Sequence, residues 1–186
     1  MRRMLLAALA LTLLCGCSPN AREPNDLALV RVLGVDGASP VTLTAVCGSS
    51  NGQEAVRGGC TGESFGLARG RLPWMEGQEE LALTSVSYLL VGHDADLPAI
   101  LFAVLEDRDL GASATVWLAG DGAAAALEVC DDPAAQMELL ARQGVEAPTV
   151  AKTLGALLTD GSVLLPAVIQ RDGQLILQGE VRWDEQ

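Results

Sequence analysis

The spacing of apolar residues changes along the chain, and each change predicts a different element. Residues Asp26 to Val35 (Asp-Leu-Ala-Leu-Val-Arg-Val-Leu-Gly-Val) are apolar and rich in branched side chains, the composition of a strand. Asp36-Gly37 is a turn signal, and Val41 to Val46 alternates Val-Thr-Leu-Thr-Ala-Val, a second strand with one wet face. Together they read as a hairpin with a slightly long connection. Cys47 to Gly62 is crowded with Gly, Ser and Asn and predicts a loop; Glu63 to Leu72 predicts a short helix weakened by Gly66 and Gly70. Leu81 to Val91 reads as a third strand ending at Gly92. Asp94 or Asp96 is positioned to cap the next helix, Leu97 to Leu105, which has Pro98 in its first turn and Ile100, Leu101, Val104 and Leu105 on one face.

Ala114 to Ala119 predicts a fourth strand, and Gly120-Asp121-Gly122 a turn into the alanine-rich helix Ala123 to Val129. Asp132-Pro133 starts another helix carrying Met137, Leu139 and Leu140, and Thr149 to Leu158 forms a further one stopped by Asp160-Gly161. Val163 to Gln170 and Gln174 to Trp183 flank Arg171-Asp172-Gly173 as a terminal hairpin. The order predicts an α+β fold: a small mixed β-sheet with packed helices and a C-terminal β-hairpin. No internal repeat is present.

The first residues follow another logic. Arg2 and Arg3 precede an apolar run from Met4 to Leu14, which is too short for a hydrocarbon core that needs about 20 residues. Residues 1–16 therefore read as a cleaved secretory signal. Leu14-Cys15-Gly16-Cys17 has the form of a lipobox, so Cys17 is expected to be the first mature residue and to carry a diacylglycerol on its thiol, with Cys15 an uncommon choice inside the box. Two acyl chains give stable anchoring at about 0.8 kcal/mol per buried CH₂. Residues 17–25, polar and with two prolines, read as a tether. No other apolar run reaches spanning length, which makes lipid the expected anchor.

Charge narrows the partners. The 186-residue chain carries 24 acidic and 12 basic residues, a net charge of −12, and loss of Arg2 and Arg3 with the signal takes it to −14. A chain this acidic repels phosphate backbones, so no nucleic-acid role is expected. Of five cysteines, Cys47, Cys60 and Cys130 remain in the body of the chain. Cys47 and Cys60 flank the Gly/Ser-rich segment and are candidates for a disulfide, which would contribute about 3 kcal/mol for a loop of that size; the alternative is that all three are small apolar residues. One histidine and scattered cysteines do not make a zinc site, and no metal or cofactor is expected.

Catalytic candidates are sparse. His93-Asp94-Ala95-Asp96 is the one cluster that invites a metal or a general base, but such a pattern is more often a polar turn with a helix cap. The serines near Gly48 and Gly62 lack the strand-to-helix setting of a nucleophile elbow. Gly120-Asp121-Gly122 is too short for a phosphate or calcium loop. Asp107 and Asp109 flank Arg108 as a solvated cluster, and Cys130 lacks an activating cation. No catalytic residue is assigned. Trp74, Trp117 and Trp183 fall in different elements. Trp117 is expected in the core, and Trp183 at the end of an edge strand, exposed. Because edge strands invite pairing, Leu175, Leu177 and Trp183 of the terminal hairpin are the candidate partner surface, unless the hairpin only completes the domain's own sheet.

An ordered set of motifs carries a family resemblance. Arg22-Glu23-Pro24-Asn25-Asp26-Leu27-Ala28 and Leu33-Gly34-Val35-Asp36 follow the lipobox closely. Further on come Ser87-Tyr88-Leu89-Leu90-Val91-Gly92, Leu105-Glu106-Asp107-Arg108-Asp109 and Ala114-Thr115-Val116-Trp117-Leu118-Ala119, then Leu164-Leu165-Pro166 and Gly173 to Val181. Together they resemble the N-terminal part of the Ger(x)C family, the lipoprotein C subunits of spore germinant receptors. Ser18 stands where that family usually has tryptophan, and Thr84-Ser85 lie where it often has histidine. Members usually continue through a middle and a C-terminal domain. On this reading residues 26–160 are the family's N-terminal domain and 161–186 the start of a truncated middle domain, a short variant.

The resemblance implies a palmitate-bearing, membrane-anchored subunit on the outer face of the spore inner membrane. It would be non-catalytic and would support nutrient-triggered germination through contacts with polytopic A- and B-type receptor subunits. The other class left open is an orphan extracytoplasmic lipoprotein that binds a small ligand or an envelope partner.

Overall fold

The computed structural model describes residues 27–48, 56–72 and 80–184. The expected signal, Cys15, Cys17, the tether and Trp74 lie outside the described residues, as does part of the Gly/Ser-rich segment.

The α+β expectation holds: a mixed sheet with packed helices ends in a long hairpin. The described residues form eight strands and five helices. They are β1 (Leu27–Asp36), β2 (Val41–Cys47), β3 (Arg57–Gly62), α1 (Phe65–Arg69), β4 (Glu80–Ala82), β5 (Tyr88–Gly92), α2 (Leu97–Glu106), β6 (Thr115–Ala119), α3 (Ala123–Val129), α4 (Pro133–Arg142), α5 (Val150–Asp160), β7 (Ser162–Arg171) and β8 (Gln174–Asp184). The strand order is β3-β2-β1-β5-β6-β7-β8, with the short β4 pairing beside β1. β1, β5, β6 and β7 are parallel, while β2, β3 and β8 run antiparallel to their neighbours.

β1 is the hub. It pairs with β2 on one side and with β4 and β5 on the other, and Val30, Val32, Leu33 and Val35 are fully buried. That double burial explains its nearly unbroken apolar sequence. One sheet face packs against α1, α2 and α5 through Phe65, Ile100, Leu101 and Leu154; the other packs against α3 and α4 through Ala126, Leu127 and Met137. Asp96, Asp132 and Thr149 cap α2, α4 and α5 by accepting from the amides of Ala99, Ala135 and Lys152. Among the described residues no helix is long and apolar enough to cross a membrane.

Two expectations change. The glycine-rich segment predicted as loop contains β3, whose residues Arg57 to Gly62 pair along β2 from Val46 to Val41. The third strand, predicted as one piece from Leu81, is broken by a 3₁₀ turn at Leu83–Ser85, so that β4 pairs with the start of β1 and β5 with its end.

The last hairpin joins the sheet at only two pairs, Leu118 with Ala167 and Ala119 with Val168. The lower half of β6 is taken by the segment before α5, where the Val116 amide donates to the Pro148 carbonyl at 2.9 Å. The hairpin therefore crosses the rim of the sheet. Val163, Val181 and Trp183 at its base pack on the α2/α5 core. Near its tip Leu175 packs in the α3/α4 core, and the Gln136 amide of α4 donates to the Gly173 carbonyl at 3.4 Å. A β-bulge between Ala167 and Val168 sits at the crossing.

Candidate functional site

In open sheets with parallel strands, ligands bind at the carboxyl ends of the strands. Here those ends are β1 at Asp36, β5 at Gly92 and β6 at Ala119. The turn after β6 leads into α3, a helix that lacks a side-chain cap of its own: Gly122 stands at its N-cap. Asp36 supplies the missing acceptor from across the sheet. Its two carboxylate oxygens accept from the amides of Ala123 and Ala124, each at 2.7 Å. Carboxylates at helix N-termini satisfy exposed amides and favour the positive end of the dipole, so the position where a bound anion would sit is filled by the chain itself.

Neighbouring residues close around that lock. A Cβ at Gly92 would collide with the Asp36 carboxylate, and one at Gly34 would lie 2.7 Å from Leu127 Cδ1 of α3. The Gly37 amide donates to Asp94 Oδ1 at 3.1 Å, which ties the β1–β2 turn to the β5–α2 turn. The glycines and aspartate of Leu33-Gly34-Val35-Asp36 and Val91-Gly92 thus share one packing problem: β1, β5 and α3 approach too closely for larger side chains.

Beside the lock lies a cleft of about 700 Å³ between the β5–α2 turn and the end of β8. His93 and Trp183 form one wall, their rings stacked with centroids 6.3 Å apart and planes within 7°. Asp94, Asp96, Arg182 and Asp184 add charges of both signs. Asp96 is the helix cap the sequence suggested, and Asp94 serves the turn contact. No group of three or more His, Cys, Asp or Glu among the described residues is arranged to hold a metal ion.

The other candidates divide. The candidate Cys47–Cys60 disulfide is not formed. Cys60 stands opposite Leu43, and Cys47 is paired to Val30, four residues further along β2. At about 3.4 Å per residue this offset along the strands is roughly 14 Å, beyond the reach of a disulfide. The Cys60 thiol instead donates to the Ala68 carbonyl at 3.0 Å, and burial pushes its pKa up, partly offset by Arg71. Cys130 is fully buried, which pushes its thiol up to about 11. Cys17 lies outside the described residues.

Of the candidate partner surface, Leu175 is corrected: it is buried in the α3/α4 core, whereas Leu177 is exposed. Trp183 is half-buried against the other core rather than exposed. Trp117 is buried as expected, with Nε1 donating to Thr115 Oγ1 at 3.0 Å. Arg108 and Asp109 are exposed as expected, while Asp107 is largely buried, and both aspartates take the Arg69 guanidinium of α1, at 2.8 and 2.6 Å.

Sequence reasoning missed two long-range clamps. Asp36 read only as a turn residue, although an alanine-rich helix without its own cap is a signal that an acceptor must come from elsewhere. Arg57 of β3 donates to the carbonyls of Leu127, Cys130 and Asp131 at the other end of α3. A guanidinium there complements the negative end of the helix dipole. No family model, no curated protein and no solved structure matches this chain.

Proposed function

We propose that this chain is a lipid-anchored, non-catalytic subunit of a spore germinant receptor, held by an acylated Cys17 and acting through contacts with polytopic subunits of the A and B types. The observation that carries the reading is the order of motifs: a lipobox at Cys17, then Leu33-Gly34-Val35-Asp36, Leu90-Val91-Gly92 and Thr115-Val116-Trp117-Leu118-Ala119 at the family's spacing. A physical fact adds weight. These segments are the three adjacent central strands β1, β5 and β6, and their Asp36 and Gly92 meet at the α3 lock. The resemblance therefore rests on residues under joint steric constraint rather than on scattered surface positions. Self-capping of α3 by Asp36 also favours a scaffold that presents a surface over one that binds an anion at that helix.

The test is a pull-down from detergent-solubilised spore inner membrane through a C-terminal tag, with partners identified by mass spectrometry. Multispanning germination subunits recovered with the chain are the expected result. Recovery of the chain alone, lipidated on Cys17, would remove the receptor role. The second reading, an orphan lipoprotein binding a small ligand, is favoured by the cleft beside His93 and Trp183. It would gain from a ligand retained by the purified chain and lost in Trp183→Ala.

A further inference from the structure

We infer that β8 is a self-pairing edge, through which two copies of this chain join their sheets in antiparallel register centred on Val181. β8 is the last strand in the sheet order, and among the described residues it pairs only with β7. It is eleven residues long and alternates in exposure from Gln178 to Asp184, and a long exposed edge is a template for another strand.

Charge selects the occupant. Natural edges are commonly protected by charged side chains, and charges of one sign along an edge set like against like in a second copy. Here the three charged residues near the end of β8 share one face and alternate in sign: Glu180, Arg182 and Asp184. Among the described residues Glu180 has no ion pair, and Arg182 has only a 4.0 Å contact to Asp184, with both of those side chains about two-thirds exposed. An antiparallel second copy centred on Val181 sets each Glu180 opposite the other copy's Arg182, twice by symmetry. Shape agrees with charge. In the same register Trp183 faces the second copy's Gly179, and nothing stands within 4 Å of where a Cβ at Gly179 would be. A bulky aromatic opposite an open glycine is a favourable cross-strand pair. A C₂ interface requires a self-complementary patch, and this segment is one.

The inference does not depend on the receptor reading. Its test uses the full chain in mild detergent, with mass measured by sedimentation equilibrium. The wild type is expected as a dimer. Glu180→Arg or Arg182→Glu alone should weaken self-association about tenfold or more, by setting like charges opposite each other at two symmetric sites. The double exchange Glu180→Arg with Arg182→Glu should restore the dimer. Val181→Cys should give a dimer cross-linked by mild oxidation, which the wild type with its native cysteines does not give. A monomeric wild type, single exchanges without effect, or no cross-link through Val181→Cys would each overturn the inference.

Discussion

The first and last hairpins are closed by the same dipeptide, Asp36-Gly37 and Asp172-Gly173, yet the two aspartates end in opposite situations. Asp172 and Gly173 both adopt positive φ, 51° and 78°, the tight turn in which Asp-Gly is favoured, and Asp172 lies in solvent. Asp36 closes a longer connection, and α3 captures its carboxylate. The strands follow suit. β1 and β2 are inside the sheet with side chains buried on both faces, while β8 crosses the rim and leaves most of its side chains exposed. The same local turn signal thus serves a scaffold in one place and a presented edge in the other. What separates them is the tertiary partner of the turn.

That contrast can be broken at several points. The largest effect is expected in the first hairpin: Leu33→Ala should cost about 2–5 kcal/mol, because Leu33 is fully buried between layers. Urea unfolding measures it, and a loss under about 1 kcal/mol would mean that β1 is not the hub. Asp36→Ala should cost about 1–3 kcal/mol by leaving two amides of α3 without acceptors. Faster hydrogen exchange at Ala123 and Ala124 should accompany it, and unchanged exchange there would remove the lock.

At the last hairpin, Trp183→Ala should cost about 1–2 kcal/mol for a half-buried indole. Hydrogen exchange should rise in β8 and stay constant in β1 and β2; a uniform rise would merge the two hairpins into one unit. Cys130 sharpens the contrast from the scaffold side. Burial raises its thiol from about 9 to about 11, so the unfolded chain loses that proton first as pH climbs. The contribution is fully present below pH 9 and falls between pH 9 and 11, by about 1 kcal/mol at pH 10. Cys130→Ala should flatten that part of the stability curve. The smallest effect is expected at exposed Leu177, where Leu177→Ala should stay within about 0.5 kcal/mol.

Local pattern carried most of the elements. The apolar run of β1, the alternation of β2 and the capped starts of α2, α4 and α5 depend on neighbours a few residues apart, and they were readable. β3 was not, because Arg-Gly-Gly-Cys-Thr-Gly has no periodicity and becomes a strand only when β2 supplies its partner. The jog at Leu83–Ser85 was hidden for a similar reason: apolar residues stand on both sides of Thr84-Ser85, and only pairing shows that the chain steps from one end of β1 to the other. Whether Cys47 and Cys60 form a disulfide or are only small apolar residues was not readable, because spacing along the chain says nothing about register. The lock at Asp36 joins residues 87 and 88 positions apart, and no local signal reports such a distance.

The central claim is a receptor subunit anchored by lipid, and spore germination tests it most directly. Spores lacking this chain should lose optical density more slowly after addition of at least one nutrient germinant in a panel. The wild-type gene should restore the rate, and a Cys17→Ala gene should not. Identical germination with and without the chain across the panel would contradict the account.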